Sequence, residues 1–351
     1  MSKYLSNWWN EIDKFNFLII ITIVTIGIIL SISINTEFSF FNKHILYASL
    51  AIVIMILISS LNEKIIRRLS LLGLIFFIIM LISILFLDYE IKGSKRWLKF
   101  FGLSIQPSEF IKPFFLILSA WFLSKGIQGK KIYLNILFLF FFLVAGLIIL
   151  QPDFGMTFLF AASFFCQLFI AGLSISLVII FFAILIILSI TCYFIFDHVQ
   201  KRINAFFDPT TADTYQIDLS LQAFKSGGLL GKGPAHGIIK DKIPDANTDF
   251  IFAVAGEELG FIFCSLIILL IIILIARFLL QLLKFKEPYI IIAIVGLISS
   301  YGLQSLINIF SALGVIPTKG MTLPFISYGG SSMISSAILF GFLLSLTKQK
   351  K

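Results

Sequence analysis

The chain has 351 residues, of which 59% are hydrophobic and only 13% are charged, and its formal net charge is +9. So large an apolar fraction excludes an ordinary soluble globular protein and predicts a polytopic membrane protein. The three cysteines (Cys166, Cys192 and Cys264) lie within apolar runs and lack metal-type spacing. We interpret them as packing residues and expect no disulfide framework.

Apolar runs long enough to cross a bilayer recur along the whole chain. The N-terminal segment, with Trp8 and Trp9 at the predicted interface, shows no convincing signal-peptide pattern, and the first run covers about residues 17–34. Nine more runs follow, at about 45–61, 69–87, 109–124, 132–150, 156–172, 174–196, 250–279, 289–313 and 329–347. We therefore expect an all-α fold of about ten transmembrane helices in a single domain, residues 1–351, with one large outer loop between spans seven and eight. The break at Ala171-Gly172 is short, and if its flanking runs formed one segment, every later span would change sides.

The basic residues predict the orientation of the spans. With ten spans, fourteen of them share one side: Lys3, Lys14, Lys64, Arg67, Arg68, Lys125, Lys130, Lys131, Arg277, Lys284, Lys286, Lys348, Lys350 and Lys351. The positive-inside rule makes that side, and with it both termini, cytoplasmic. A second basic group lies on the outer side, within Lys92 to Lys99, between Lys201 and Lys242, and at Lys319.

Basic residues on outer loops oppose this insertion bias and need another explanation. They favour an anionic ligand on the outer face, although attraction to anionic lipid headgroups would produce the same excess. The outer loop, about residues 197–249, is the only connection large enough to cover a cavity, and its glycines from Gly227 to Gly237 indicate a shaped loop. We expect this loop to form part of an active-site cavity.

Proline-centred motifs open or join spans on the same outer side. Gln106-Pro-Ser-Glu109 begins span four, Gln151-Pro-Asp-Phe-Gly155 joins spans five and six, and the segment from Pro317 to Ser332 leads into span ten. Pro107 suits the first turn of a helix, and the small residues from Gly329 to Ser332 permit close packing of helices. Both features therefore have a structural explanation beside any functional one.

Glu109 and Lys112 lie three residues apart on one face of span four. At this spacing the two side chains are neighbours on the helix. One interpretation is a mutually neutralising pair, and the other has Lys112 facing the cavity as a cation for a phosphate group. The residues alone leave both open.

Three carboxylates, those of Asp249, Glu257 and Glu258, stand at the outer start of span eight. An acid at the lip of a membrane helix predicts a functional site, because burying its charge is costly. Asp249 also suits an N-cap, which is the structural alternative. Helical spacing lets Glu257 share a broad face with Asp249, so we predict Glu257 as its cavity partner and Glu258 as an inter-helix hydrogen-bonding or charge-paired residue.

Together these motifs resemble the SEDS proteins of bacterial cell-wall synthesis. The resemblance runs in order from about residue 15 to 347 and depends on these segments: Arg96-Trp97, Gln106 to Glu109 with Lys112, Gln151 to Gly155, Tyr215-Gln216, the Gly227 to Gly237 loop, Pro244 to Phe252, Gly256 to Gly260, and Pro317 to Ser332. The last segment is similar to that of the cell-division members, with the elongation members second. Asp245, Asn247 and Pro113 depart from the usual pattern, and none removes a predicted catalytic group.

The resemblance implies a peptidoglycan glycosyltransferase that polymerises lipid II with inversion at the anomeric carbon. The disaccharide would pass from an undecaprenyl-diphosphate donor to a sugar 4-hydroxyl during cell division. Asp249 is the implied catalytic base, and Arg96, Lys112, Lys240 and Lys319 are candidates for binding the diphosphate. Glu109, Glu257 and Ser331 complete the predicted substrate-binding set. A divalent cation such as Mg²⁺ is plausible for the class, with Asp249 a possible ligand, and no organic cofactor is expected.

The resemblance also implies partners and a place in the cell. We expect lipid II, a class B penicillin-binding protein transpeptidase, other divisome membrane proteins and membrane lipids as partners, and no nucleic acid. The protein would be a multi-pass protein of the bacterial cytoplasmic membrane, with its active site on the outer, periplasmic face. Two other functions stay open: a lipid II flippase, and a non-catalytic divisome scaffold.

Overall fold

The computed structural model describes residues 8–34, 38–86, 96–100, 103–172, 175–195, 200, 204, 214–318 and 320–348. Among these residues lie eleven longer α-helices: α1 (Lys14–Ile34), α2 (Phe38–Ser60), α3 (Glu63–Leu85), α4 (Pro107–Ile127), α5 (Ile132–Leu150), α6 (Phe154–Ile170), α7 (Ile175–Ile195), α8 (Tyr215–Gly227), α9 (Ile251–Gln281), α10 (Pro288–Ala312) and α11 (Gly330–Leu346). Short 3-10 turns cover Lys240–Lys242 and Leu282–Lys284.

Every predicted span coincides with one of these helices, and only α8 is an extra. Seven of them are long and apolar enough to cross a membrane: α1, α2, α3, α4, α5, α9 and α10. The apolar helices α6 and α11 have 17 residues each, and α7 has 21. The predicted polytopic all-α fold is confirmed. Helices α6 and α7 are separate, with Gly172 in a left-handed conformation between them, so the two runs flanking Ala171-Gly172 are not one segment.

One small sheet departs from the all-α expectation. Strands β1 (Leu98–Phe100) and β2 (Leu103–Ile105) pair antiparallel immediately before α4. Pro107 occupies the first turn of α4, where its missing N–H costs nothing. The sheet therefore connects Arg96 to the start of a deeply buried helix.

Helices α4 and α10 form the centre of the bundle. In an 18-residue apolar stretch of each helix, 78% of the residues of α4 and 72% of those of α10 are buried, whereas the share for α2 is 22%. A buried amide, Gln167 of α6, joins these two inner helices, since its Nε2 donates to the carbonyl oxygens of Leu116 at 2.8 Å and Ile292 at 3.2 Å. Such bonds satisfy polar groups that lipid cannot satisfy.

Helix α9 is broken at Gly260, where φ is 78° and ψ is −178°. The amides of Phe261 and Ile262 donate to Gly228 and Leu229 of the preceding loop at 2.9 and 3.2 Å. In return, the backbone carbonyl oxygens of Glu257 and Glu258 accept from the amides of Lys232 and Gly233 at 3.0 and 2.9 Å. The loop thus replaces the helical hydrogen bonds lost at the break. From the sequence, about residues 250–279 were expected to form one span, and this break within it was not expected.

The break requires glycine at position 260, because this backbone conformation is essentially restricted to glycine. An added Cβ would also lie 2.3 Å from the amide nitrogen of Gly231. We expect Gly260→Ala to destabilise the protein by about 1–3 kcal/mol from backbone strain alone. A fall in the melting temperature of the purified protein would measure this loss.

Gly146 of α5 offers a matched control for this substitution. A Cβ added there meets nothing within 4 Å. Gly146→Ala should leave the melting temperature unchanged or raise it, since alanine favours a helix by about 1 kcal/mol over glycine. Equal melting temperatures for Gly260→Ala and the parent would contradict the assigned break.

Candidate active site

Asp249 lies half-buried in a series of turns that leads into α9. Its amide donates to the carbonyl oxygen of Asp245 at 3.0 Å, and Asp245 itself has a positive φ of 59°. The N-cap position of α9 is occupied by Phe250, which makes no side-chain cap bond. Asp249 thus lies one residue before the N-cap position, where a carboxylate still benefits from the helix dipole.

The segment leading into α11 packs directly against Asp249. A Cβ added at Gly320 would lie only 3.2 Å from Asp249 Oδ2, so the carboxylate rests against the main chain there. Asn308 of α10 donates from Nδ2 to the carbonyl oxygens of Asp249 at 2.9 Å and Met321 at 2.6 Å. The predicted diphosphate ligand Lys319 lies outside the described residues.

Two further bonds fasten the same two segments together. The Tyr328 amide donates to the carbonyl oxygen of Asn247 at 2.8 Å, and the Ser327 hydroxyl donates to that of Thr248 at 2.5 Å. Burial, and secondarily Tyr47, raise the pKa of Tyr328 above its usual value, so its phenol stays neutral. The surroundings of Asp249 are thus assembled from two segments distant in sequence.

A chain of polar contacts runs through the bundle beside this assembly. Lys112 Nζ lies 2.7 Å from Glu109 Oε2 and 2.5 Å from Gln304 Oε1. Gln304 Nε2 donates to the carbonyl oxygen of Thr322 at 3.3 Å, and the Thr322 hydroxyl donates to that of Ser332 at 2.7 Å. Both Glu109 and Lys112 are buried, at 5% and 3% exposure. The geometry favours the neutralising pair over a Lys112 that faces a cavity.

Ser331 and Arg96 belong to a second polar group at the N-terminal end of α4. Ser331 Oγ accepts from the Gln106 amide at 3.0 Å, and Gln106 Nε2 lies 3.3 Å from Asp153 Oδ2. Arg96 is 3.5 Å from Asp153 Oδ1 and donates to the carbonyl oxygen of Gln151 at 3.4 Å. The Arg96 side chain keeps 18% exposure, more than Lys112 or Lys240.

Glu257 and Glu258 are fully buried and have different partners. Glu257 accepts from three successive amides at 2.8 to 2.9 Å, those of Ile238, Ile239 and Lys240. Glu258 Oε1 lies 2.5 Å from Lys240 Nζ, and its Oε2 accepts from Ser33. The predicted charge-paired role of Glu258 agrees with this geometry. Glu257 holds the outer loop, which argues against the predicted substrate contact, and Lys240 is committed to Glu258.

Sequence reasoning missed several polar residues that assemble this site, including Gln304 and Asn308. These two amides stand four residues apart, on one face of the apolar helix α10. Polar residues with that spacing inside a membrane helix were a signal that could have identified them. Within the described parts of the chain, no three His, Cys, Asp or Glu side chains come together as a metal site.

The chain is similar in sequence to one protein family and to several named relatives. The model of a cell cycle protein family comprising FtsW, RodA and SpoVE matches residues 9–351. A relative from Caulobacter vibrioides, described as a probable peptidoglycan glycosyltransferase FtsW, is 37% identical over 99% of this chain and 92% of its own. A relative with the same description from Borreliella burgdorferi is 35% identical over 90% of this chain and 88% of its own.

Solved structures share the fold. A chain of a peptidoglycan synthase complex aligns with a TM-score of 0.81 at 24% identity, over 96% of this chain and 97% of its own. The rod shape determining protein RodA of Thermus thermophilus aligns with a TM-score of 0.70 at 24% identity, over 97% of both chains. At this identity the likeness concerns the arrangement of helices.

Proposed function

This chain belongs to the FtsW, RodA and SpoVE family of cell cycle proteins, and we propose that it is a peptidoglycan glycosyltransferase of cell division. The two relatives above carry that activity in their names. The observation that carries the proposal is the carboxylate of Asp249, half-buried at the start of α9 and resting against Gly320. The proposed substrate is lipid II, on the outer face of the membrane.

Asp249 acts as the general base in this proposal. It accepts the proton of the sugar 4-hydroxyl while that oxygen attacks the anomeric carbon of the donor. The bond from the anomeric carbon to the diphosphate oxygen breaks in the same step, so configuration inverts and undecaprenyl diphosphate leaves. A base must be ionised to do this, and a position just before a helix N-terminus favours the charged carboxylate.

The departing diphosphate needs cationic partners, because negative charge grows on its bridging oxygen. Arg96 and Lys319 are the proposed contacts. Among the described candidates Arg96 retains the most exposure, although all three are paired with a buried acid: Arg96 with Asp153, Lys112 with Glu109 and Lys240 with Glu258. Asp249 would be the protein ligand of a Mg²⁺ ion, and the ion would supply positive charge to the departing diphosphate, because Mg²⁺ often binds one or two carboxylates together with phosphates.

The protein is a multi-pass membrane protein, and the orientation of its termini and of the Asp249 site in the membrane is part of the proposal. Both termini would be cytoplasmic, and the Asp249 site would face outward. A class B penicillin-binding protein transpeptidase is the proposed partner, since the similar solved chain belongs to a peptidoglycan synthase complex that coordinates polymerization and crosslinking.

The decisive experiment is polymerisation of purified lipid II by the protein in proteoliposomes, with and without a class B transpeptidase. We expect glycan strands on gel analysis, which a lipid II flippase or a scaffold would not produce. Lipid II transport without glycan, or no glycan in either condition from folded protein, would overturn the proposal.

Salt should weaken substrate binding if Arg96 and the outer lysines hold a diphosphate. Exposed charges are screened beyond about 8 Å at physiological ionic strength. We expect KM for lipid II to rise between low and high salt, with a smaller effect in Arg96→Gln, which has lost one cation. A KM that stays constant across salt concentrations would show that these charges face lipid headgroups only.

A further inference from the structure

Asn308 connects the two segments that surround Asp249. It lies on α10 and is 1% exposed. One amide nitrogen donates to Asp249, 59 residues away in sequence, and to Met321, 13 residues away. Its Oδ1 makes no hydrogen bond with the described groups, so the two donated bonds are its polar contribution.

These bonds fix the backbone on both sides of the Asp249 Cα. The amide of Asp249 is held by the carbonyl of Asp245 at 3.0 Å, and its carbonyl is held by Asn308 at 2.9 Å. With both peptide groups fixed, the direction of the Cα–Cβ bond is fixed as well. That direction brings the carboxylate against Gly320, next to the second residue that Asn308 binds.

We propose that Asn308 is a positioning residue for the proposed glycosyl transfer, holding the Asp249 carboxylate where the acceptor hydroxyl arrives. The inference depends on the proposed function, because it assigns Asn308 to the base of that reaction. A general base must come within about 2.6–3.2 Å of the proton's oxygen, and an error of about 1 Å can cost about 100-fold in rate. Because the Asn308 side chain is buried, it would influence the reaction through its hydrogen bonds to Asp249 and Met321.

Asn308→Leu removes both donated bonds while keeping a similar volume. Gln167→Leu is its matched control, since Gln167 is also a fully buried amide that donates to two backbone carbonyls. Those carbonyls belong to Leu116 and Ile292, and none of the described bonds connects them to Asp249. Any effect of losing a buried amide bridge is therefore common to both variants.

The test measures kcat and KM for lipid II, per folded enzyme, together with melting temperature. We expect Asn308→Leu to lower kcat by about tenfold to 100-fold with little change in KM, as misplacement of a base predicts. Gln167→Leu should lower the melting temperature and leave kcat within about twofold of the parent, since Asp249 keeps its geometry. If Asn308→Leu does not fold, Asn308→Ser replaces it, because its shorter hydroxyl cannot reach both carbonyls.

The outcomes separate this inference from the function on which it depends. If the parent polymerises lipid II and Asn308→Leu or Asn308→Ser matches Gln167→Leu in kcat, the positioning role is wrong and the proposed function stands. If the folded parent makes no glycan, the function itself fails. A rise in KM alone would also overturn the inference, since it would indicate a binding role.

Discussion

Asp249→Asn is expected to abolish glycan synthesis while leaving the folded protein intact. An amide has no useful proton affinity, and loss of a general base typically costs about 10²–10⁴-fold in rate. The side chain is half-buried, and Asn has the same shape as Asp and is as good an N-cap, so the change should cost little stability. Polymerisation of lipid II by the purified variant, beside its melting temperature, measures both effects.

Asp218→Asn is the matched control for that experiment. Asp218 is an exposed acid in the first turn of α8, in the same segment between α7 and α9, and it accepts from the hydroxyl of Thr214 at 2.6 Å. The same chemical change there should leave polymerisation near the parental rate. An Asp249→Asn protein that polymerises lipid II as fast as Asp218→Asn would remove Asp249 from the reaction.

Lys112→Met should destabilise the protein severely. It leaves the buried Glu109 carboxylate without the ammonium that lies 2.7 Å away. Removing one partner of a buried ion pair typically costs about 3–5 kcal/mol, because the remaining charge stays uncompensated. A large fall in melting temperature, or loss of folded protein during purification, would measure the effect.

The double variant Glu109→Gln with Lys112→Met separates structure from substrate binding. Replacing both ions is often tolerated, so we expect most of the lost stability to return. Because Lys112 is 3% exposed and its closest partners are Glu109 and Gln304, we also expect the double variant to polymerise lipid II. A stable double variant without activity would restore Lys112 to the substrate site.

The polytopic all-α class and the approximate positions of the apolar helices were predictable from the sequence alone. A bilayer core of about 30 Å demands about 20 apolar residues per helix, and every backbone polar group must be bonded within it. These requirements leave a strong signal in the local hydrophobicity, so the C-terminal end of each predicted run lies within a few residues of the end of the matching helix. Asp249 could likewise be singled out from the sequence, because a carboxylate at the end of such an apolar run is rare.

Spacing along a helix also predicted contacts between close neighbours, but it did not decide between a structural and a substrate-binding role for them. Glu109 and Lys112, three residues apart, were expected to meet, and they do. Whether Lys112 also faced a cavity could not be read from spacing, because its other partner, Gln304, is 192 residues away. The same limit applied to Lys240, whose pairing with Glu258 and Ser33 commits it to the protein interior.

What the sequence by itself determined is therefore the polytopic membrane class, the approximate positions of the apolar helices and the presence of an acid just before α9. Only the tertiary structure decided the break at Gly260, the loop amides that hold Glu257, and the bonds from Asn308 to Asp249 and Met321. The physical reason is that lipid-facing and core-facing sides of these helices are both apolar. The hydrophobic periodicity of a helix then does not show which of its faces packs against another helix. Polar groups that are distant in sequence are paired only by that packing.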